Sequence, residues 1–303
     1  MNKLLFILCF QLLLTNSCFA AGLGVTGGEF LRLGVGERAI GMGGAFCSIA
    51  NNVSSTYWNP AGLAQLSSRE LSMMSFDYLM DISNENYSYA NPLGNSGVLG
   101  FQISLLGMRD MSRDEYGTMG SFFKNEERIV SLSYASWINP NLSMGINLKT
   151  IYTKLDTDET SGFGMDIGTL YKTPVENLNL GVVIQNIETG LKYTDKKESM
   201  PLNLKTGISY TLNNVILATD VDAFIDNSIN LHTGGEYTYK PMQRWNLQLS
   251  ARLGYSASMG NINAISGLSS GFGLKINKFN IDYAFVPHGD LGDTKRISFT
   301  ARF

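Results

Sequence analysis

Few residues of this chain are spaced for catalysis. His232 and His288 are its only histidines. The first falls in a strand-like run and the second in a polar turn, so a His-centred nucleophile or metal site lacks partners. His288-Gly-Asp-Leu-Gly-Asp293 is rich in oxygen ligands, as a calcium loop would be. It has neither the spacing nor the bidentate Glu of an EF-hand and reads as a turn. Gly41-Met-Gly-Gly44 and Gly162-Phe-Gly164 are not followed by Lys-Ser/Thr in a strand-to-helix setting, so neither is a phosphate loop. The expectation is a protein that is not an enzyme, with no catalytic residue, no metal and no cofactor. A net charge of −3 and a pI near 5.5 argue against a nucleic-acid partner.

The charged residues that remain fall at every second position of apolar runs. Lys149, Asp166, Lys205, Asp220, Asp222, Glu236, Arg252, Lys275, Asp282, Arg296 and Arg302 share one side of their runs. Leu142/Met144/Ile146/Leu148 and Phe279/Ile281/Tyr283/Phe285 show the opposite, apolar side. A period of two is a β-strand with one polar and one apolar face. Such runs cover 70–79, 85–92, 97–107, 128–138, 142–155, 162–173, 177–187, 202–212, 214–224, 229–239, 244–256, 268–277, 279–287 and 295–303. Their number is even, and each is close to the ~9–11 residues a tilted membrane strand needs. Short turns such as Asn139-Pro-Asn and Asn277-Lys278 alternate with generally longer polar connections such as 108–127, 188–201 and 257–267. That asymmetry marks a transmembrane antiparallel barrel of fourteen strands, all-β, with short turns on the periplasmic side and long loops outside. A soluble two-sheet sandwich is the competing fold. The mixed signs on the polar face predict cross-strand ion pairs in the lumen.

Both ends agree with an outer-membrane location. Lys3, the apolar run Leu4–Leu14 and Ser17-Cys-Phe-Ala-Ala21 form a secretory signal peptide, residues 1–20, with cleavage near Ala20. The apolar run is too short to span a bilayer as a helix. Removal of that leader takes Cys9 and Cys18 with it and leaves Cys47 without a disulfide partner. The last strand presents Ile297, Phe299, Ala301 and Phe303 on one side. Its final aromatic pair, Phe299 and Phe303, is similar to the signal that barrels show to their assembly machinery. Outer-membrane lipid would cover the apolar face, and closure would remove the strand edge.

Residues 21–69 lack the period of two. Small residues at Gly41, Gly43, Gly44 and Gly62 permit close backbone packing, and Asn59-Pro60 opens a turn before a short helical Leu63–Leu66. A segment of this size ahead of a barrel at 70–303 is expected to be a plug in its lumen.

Phe30-Leu-Arg-Leu-Gly-Val-Gly-Glu-Arg-Ala-Ile-Gly-Met-Gly-Gly-Ala-Phe46, then Tyr57-Trp-Asn-Pro-Ala-Gly-Leu63, resemble the hallmark of the PorV/PorQ family, in the FadL-like group of fourteen-stranded barrels. Ile281–Ile297 is similar to that family's closing segment. Asn51-Asn52 departs from it, since relatives often carry acidic residues there. The resemblance implies a carrier or adaptor for type IX-like protein secretion. Its partners would be secreted proteins or secretion components, bound at Met108, Met111, Met119, Phe122 and Phe123 in an outer loop. The alternative in the wider group is a transporter of long-chain fatty acids or other hydrophobic small molecules.

Overall fold

A computed structural model describes residues 28–78, 82–113, 119–155, 158–188, 191–193, 196–226, 228–242, 245–258, 267–288 and 292–303. The expected signal peptide, residues 1–20, and its cleavage site lie outside them. The strands are β1 (Glu70–Tyr78), β2 (Ile82–Pro92), β3 (Val98–Arg113), β4 (Met119–Asn139), β5 (Leu142–Leu155), β6 (Asp158–Lys172), β7 (Leu178–Glu188), β8 (Leu191–Tyr193), β9 (Lys196–Glu198), β10 (Asn203–Leu212), β11 (Val215–Phe224), β12 (Ile229–Met242), β13 (Leu247–Ser258), β14 (Leu268–Ile276), β15 (Phe279–Pro287) and β16 (Asp293–Arg302). Fourteen of them close into one antiparallel barrel. The two short strands β8 and β9 form a separate hairpin in the connection from β7 to β10. The ring shuts where β1 pairs with β16, Glu70 opposite Arg302 and Asp77 opposite Lys295. A single closed ring excludes the two-sheet sandwich.

The alternation seen in the sequence is an inside–outside alternation. Leu253 is 72% exposed, Phe272 64% and Phe163 63%, while their neighbours Arg252, Gly271, Gly273 and Gly164 turn inward. An apolar outside this continuous is the surface a bilayer would cover. Inside, the expected ion pairs form across neighbouring strands. Lys149 meets Asp166 at 2.7 Å, Lys205 meets Asp222 at 3.0 Å, and Arg252 meets both Glu236 at 2.6 Å and Asp282 at 2.7 Å.

The long connections need a correction. Most of 108–127 is hydrogen-bonded strand, because β3 runs on to Arg113 and β4 starts at Met119. Met108, Met111, Met119, Phe122 and Phe123 therefore sit on a two-stranded hairpin and not in a loop, with Met111 opposite Phe122 and Asp110 opposite Phe123. Beyond the lipid a strand keeps its backbone ladder but no longer needs an apolar face, so the pattern stops before the strand does. The short helical turn at 63–66 is likewise a 3₁₀ helix that begins earlier, Pro60–Gln65.

Residues 28–69 lie against the inward face of the barrel. A short helix, Glu37–Gly41, rests on β13 to β16, and Pro60–Gln65 rests on β3 to β6. Between them Met42, Ala45, Phe46, Cys47 and Ala50 are wholly buried, and Phe46 and Met42 join Trp58 in the largest apolar cluster.

Candidate functional site

The interior is the place where chemistry-bearing side chains converge, and the inner segment organises it. Its backbone is held by polar side chains from the wall. Asp220 on β11 accepts from the N–H groups of Phe46 and Cys47, both at 2.7 Å. Gln185 on β7 donates to the Tyr57 carbonyl at 2.7 Å, Trp137 on β4 to that of Ala64 at 2.7 Å, and Arg296 on β16 to that of Gly34 at 3.0 Å. A buried non-helical segment must find such partners, since each unpaired backbone group costs about 1–3 kcal/mol.

The sequence-nominated packing residues meet in this layer. Asn59 donates to the Cys47 carbonyl and to the Thr169 carbonyl on β6, each at 3.0 Å, and caps the Pro60 helix by accepting from Ala61 N–H at 3.1 Å. Pro60 is buried at the first position of that helix, where its missing N–H leaves no bond unmade. A Cβ on Gly41 would stand 3.0 Å from Gly271 Cα, and one on Gly44 3.1 Å from Nδ1 of His232. Gly43 has φ +68, and a Cβ there would lie 2.6 Å from the Tyr255 amide nitrogen. Gly62 abuts Ala50 within the segment itself.

The wall answers with glycines of its own, which sequence reasoning passed over. A Cβ on Gly181 would collide with Cys47, one on Gly234 with Met42, one on Gly254 with Gly43 and one on Gly145 with Pro60 and Ala61. Glycine at inward strand positions was the signal available. It gives backbone-to-backbone contact and leaves no clearance for a substitution.

Two groups of the segment titrate abnormally. Burial pushes the Glu37 carboxyl up to about 7, and the nearby Ser298 and Arg296 offset only part of that. Burial also raises the Cys47 thiol well above its ordinary value, so it stays protonated and unreactive. His232 donates to, or accepts from, nothing catalytic: its Nδ1 is 2.7 Å from the Gly43 carbonyl and its Nε2 3.3 Å from Asp222. Among the described residues no cluster of His, Cys, Asp or Glu is arranged to hold a metal.

On the long-loop side of the segment is a chamber of about 40 Å³. Phe30, Leu31, Leu33 and Val35 give it an apolar floor, while Asn84, Gln102, Asn147 and Gln185 line its wall with amides. That volume holds a water or two and no larger ligand. Of the remaining nominated residues, Phe299 is 44% exposed on the outer face and stacks on Phe279 at 5.7 Å. Phe303 exchanges both backbone hydrogen bonds with Arg69 at 3.0 Å. The side chains of Met108, Met111, Met119, Phe122 and Phe123 lie outside the described residues.

No family model and no curated protein sequence matches the chain. Solved structures do. The chain is similar to a Pseudomonas aeruginosa FadL homologue, at 14% identity and a TM-score of 0.61 over 94% of this chain and 99% of that one. It is similar to the Pseudomonas putida toluene transporter TodX, at 14% identity and a TM-score of 0.57 over 89% and 96%. The CymD monoaromatic hydrocarbon channel gives 14% identity and a TM-score of 0.60 over 89% and 98%. The chain thus has the fold of FadL-like outer-membrane barrels.

Proposed function

We propose that this protein is an outer-membrane channel for small hydrophobic molecules, kept shut by its inner segment. The observation that carries the reading is the chamber, where an apolar floor on the inner segment faces an amide-lined barrel wall. An apolar molecule in this chamber rests on Phe30, Leu31 and Leu33, and further passage requires the segment to shift. The FadL-like fold and the hydrocarbon or toluene transport named for similar structures support it. In this reading residues 1–20 are removed near Ala20, residues 21–69 are the plug, the short turns face the periplasm of a Gram-negative-type bacterium, and Phe299 and Phe303 serve the assembly machinery. The test is uptake of labelled toluene and of a labelled long-chain fatty acid into cells with and without the protein. Faster uptake of either is expected; equal uptake of both rejects the channel.

A second reading, the carrier of secreted proteins, has one observation in its favour. Among the described residues, β3 pairs with β2 as far as Gly107, and β4 with β5 from Asn125. The hairpin beyond, Arg109 opposite Lys124 and Arg113 opposite Met119, rises clear of the ring by about five residues, roughly 16 Å at ~3.3 Å each. A projecting hairpin is a handle for a partner. Phe122→Ser with Phe123→Ser, compared for co-purifying proteins and for uptake in one strain, separates the two. Loss of a protein partner with unchanged uptake would favour the carrier; lost uptake with an unaltered eluate would favour the channel.

A further inference from the structure

We propose that the short-turn mouth of the barrel is a binding site for a small, soluble anion bearing carboxylate or phosphate groups. The inner segment does not fill this end evenly. Pro60–Gln65 fills the side of β3 to β6, whereas the side of β11 to β16 opens into a basin of about 360 Å³. Its charged lining is Arg38, Lys240, Arg252, Lys275 and Arg302 against one carboxylate, Glu236. Two more carboxylates stand behind the lining: Glu70 holds Arg302 at 2.8 Å, and Asp282 holds Arg252 at 2.7 Å. Five cations against three carboxylates leave two positive charges, in a chain whose net charge is −3.

The surplus has an address. Arg38, Arg252 and Arg302 are each paired, and among the described residues no carboxylate pairs with Lys240 or Lys275. Elsewhere in the lumen Lys149 and Lys205 each face an aspartate. Lys275 is half-buried and shares the basin with four other cations. Concentrating like charge in a partly enclosed cavity is unfavourable until an anion enters. Asn51 strengthens the effect. Its Oδ1 accepts from Arg38 at 2.5 Å, so it orients the guanidinium without adding negative charge. Forked guanidinium groups and ammonium donors suit carboxylate or phosphate oxygens, and the hydroxyls of Thr238 and Ser250 suit a hydrophilic ligand body. Arg252 and Glu236 point into the lumen, which bilayer headgroups do not reach, so the ligand comes from the water on this side. The proposal does not rest on hydrocarbon passage.

Titration calorimetry on the full barrel in zwitterionic nanodiscs, with inorganic phosphate and separately with succinate, tests it. Saturable binding of at least one anion is expected at low salt, weakening as ionic strength rises from about 20 mM to about 500 mM. Lys240→Gln with Lys275→Gln should weaken it about tenfold or more. Asn51→Asp, which adds a carboxylate without touching either lysine, should weaken it in the same direction and carries the test if the double variant fails to assemble. No saturable binding of either anion, or unchanged affinity in assembled variants, would overturn the site.

Discussion

Arg38 reaches from the inner segment to Glu236 on β12 with two parallel hydrogen bonds, Nε and NH2 each donating at 2.8 Å to a different carboxylate oxygen. The same carboxylate takes Arg252 Nε at 2.6 Å. Glu236 is therefore shared between a group that belongs to the wall and one that belongs to the segment inside it. Glu236→Gln leaves Arg38 without its carboxylate partner and Arg252 with Asp282 alone, and removing one partner of a buried pair costs about 3–5 kcal/mol. The variant should assemble but expose residues 28–69 to added protease. Unchanged protease resistance and an unchanged unfolding midpoint would show that the pair does not hold the segment.

Gly43 tests whether the segment is seated by close packing. Its left-handed backbone and its contact with Tyr255 leave no room for a side chain. Gly43→Trp should displace the segment while the barrel still closes, because no ladder bond depends on Gly43. The readout is conductance to small polar ions in planar bilayers. A wild-type trace would mean that the segment does not obstruct the lumen.

Glu37 makes the seating depend on pH. Its carboxyl is raised from 4.5 to about 7 when seated. A raised carboxylate favours the protonated form, so the folded arrangement is fully stable below the unfolded value. It loses stability as pH climbs from about 4.5 through about 7. The ceiling of that loss is roughly 3 kcal/mol, at about 1.4 kcal/mol per unit. Protease access to the segment should rise with pH across this window and level off above it. Glu37→Gln should flatten the profile; an equally steep profile in that variant would place the titration elsewhere.

Phe303 contributes two backbone hydrogen bonds with Arg69 at the closing seam and an aromatic ring that is 53% exposed. Its deletion should lower the quantity of assembled barrel in cells more than the thermal stability of the barrel that does assemble. Equal surface levels in quantitative blots would count against an assembly role.

The strands were legible because lipid and lumen impose opposite demands on neighbours. Leu142, Met144, Ile146 and Leu148 face out while Ser143, Asn147 and Lys149 are buried within. The upper parts of β3 and β4 were not legible, since Asn125 to Arg128 carry no apolar face although the ladder continues through them. The glycines of the inner segment announced close packing, but their counterparts Gly181, Gly234 and Gly254 did not. An inward glycine looks like a gap in a strand until another backbone is found against it. The basin was hidden for a different reason. Lys240 and Lys275 stand on separate strands, β12 and β14, and only the pairing of both with β13 brings them to one cavity.

The seam between β1 and β16 also dictates a sequence of events in time. It joins Glu70 to Arg302, so the pairing that seals the wall spans nearly the whole folded chain and is the slowest to find by chance. The segment it imprisons lies immediately upstream of β1. With backbone against backbone at Gly43 and Gly254, the seated segment leaves no clearance against the wall. A segment already in place when the seam zips needs no later passage. A barrel that zips early must seat it through an open end, as a separate step.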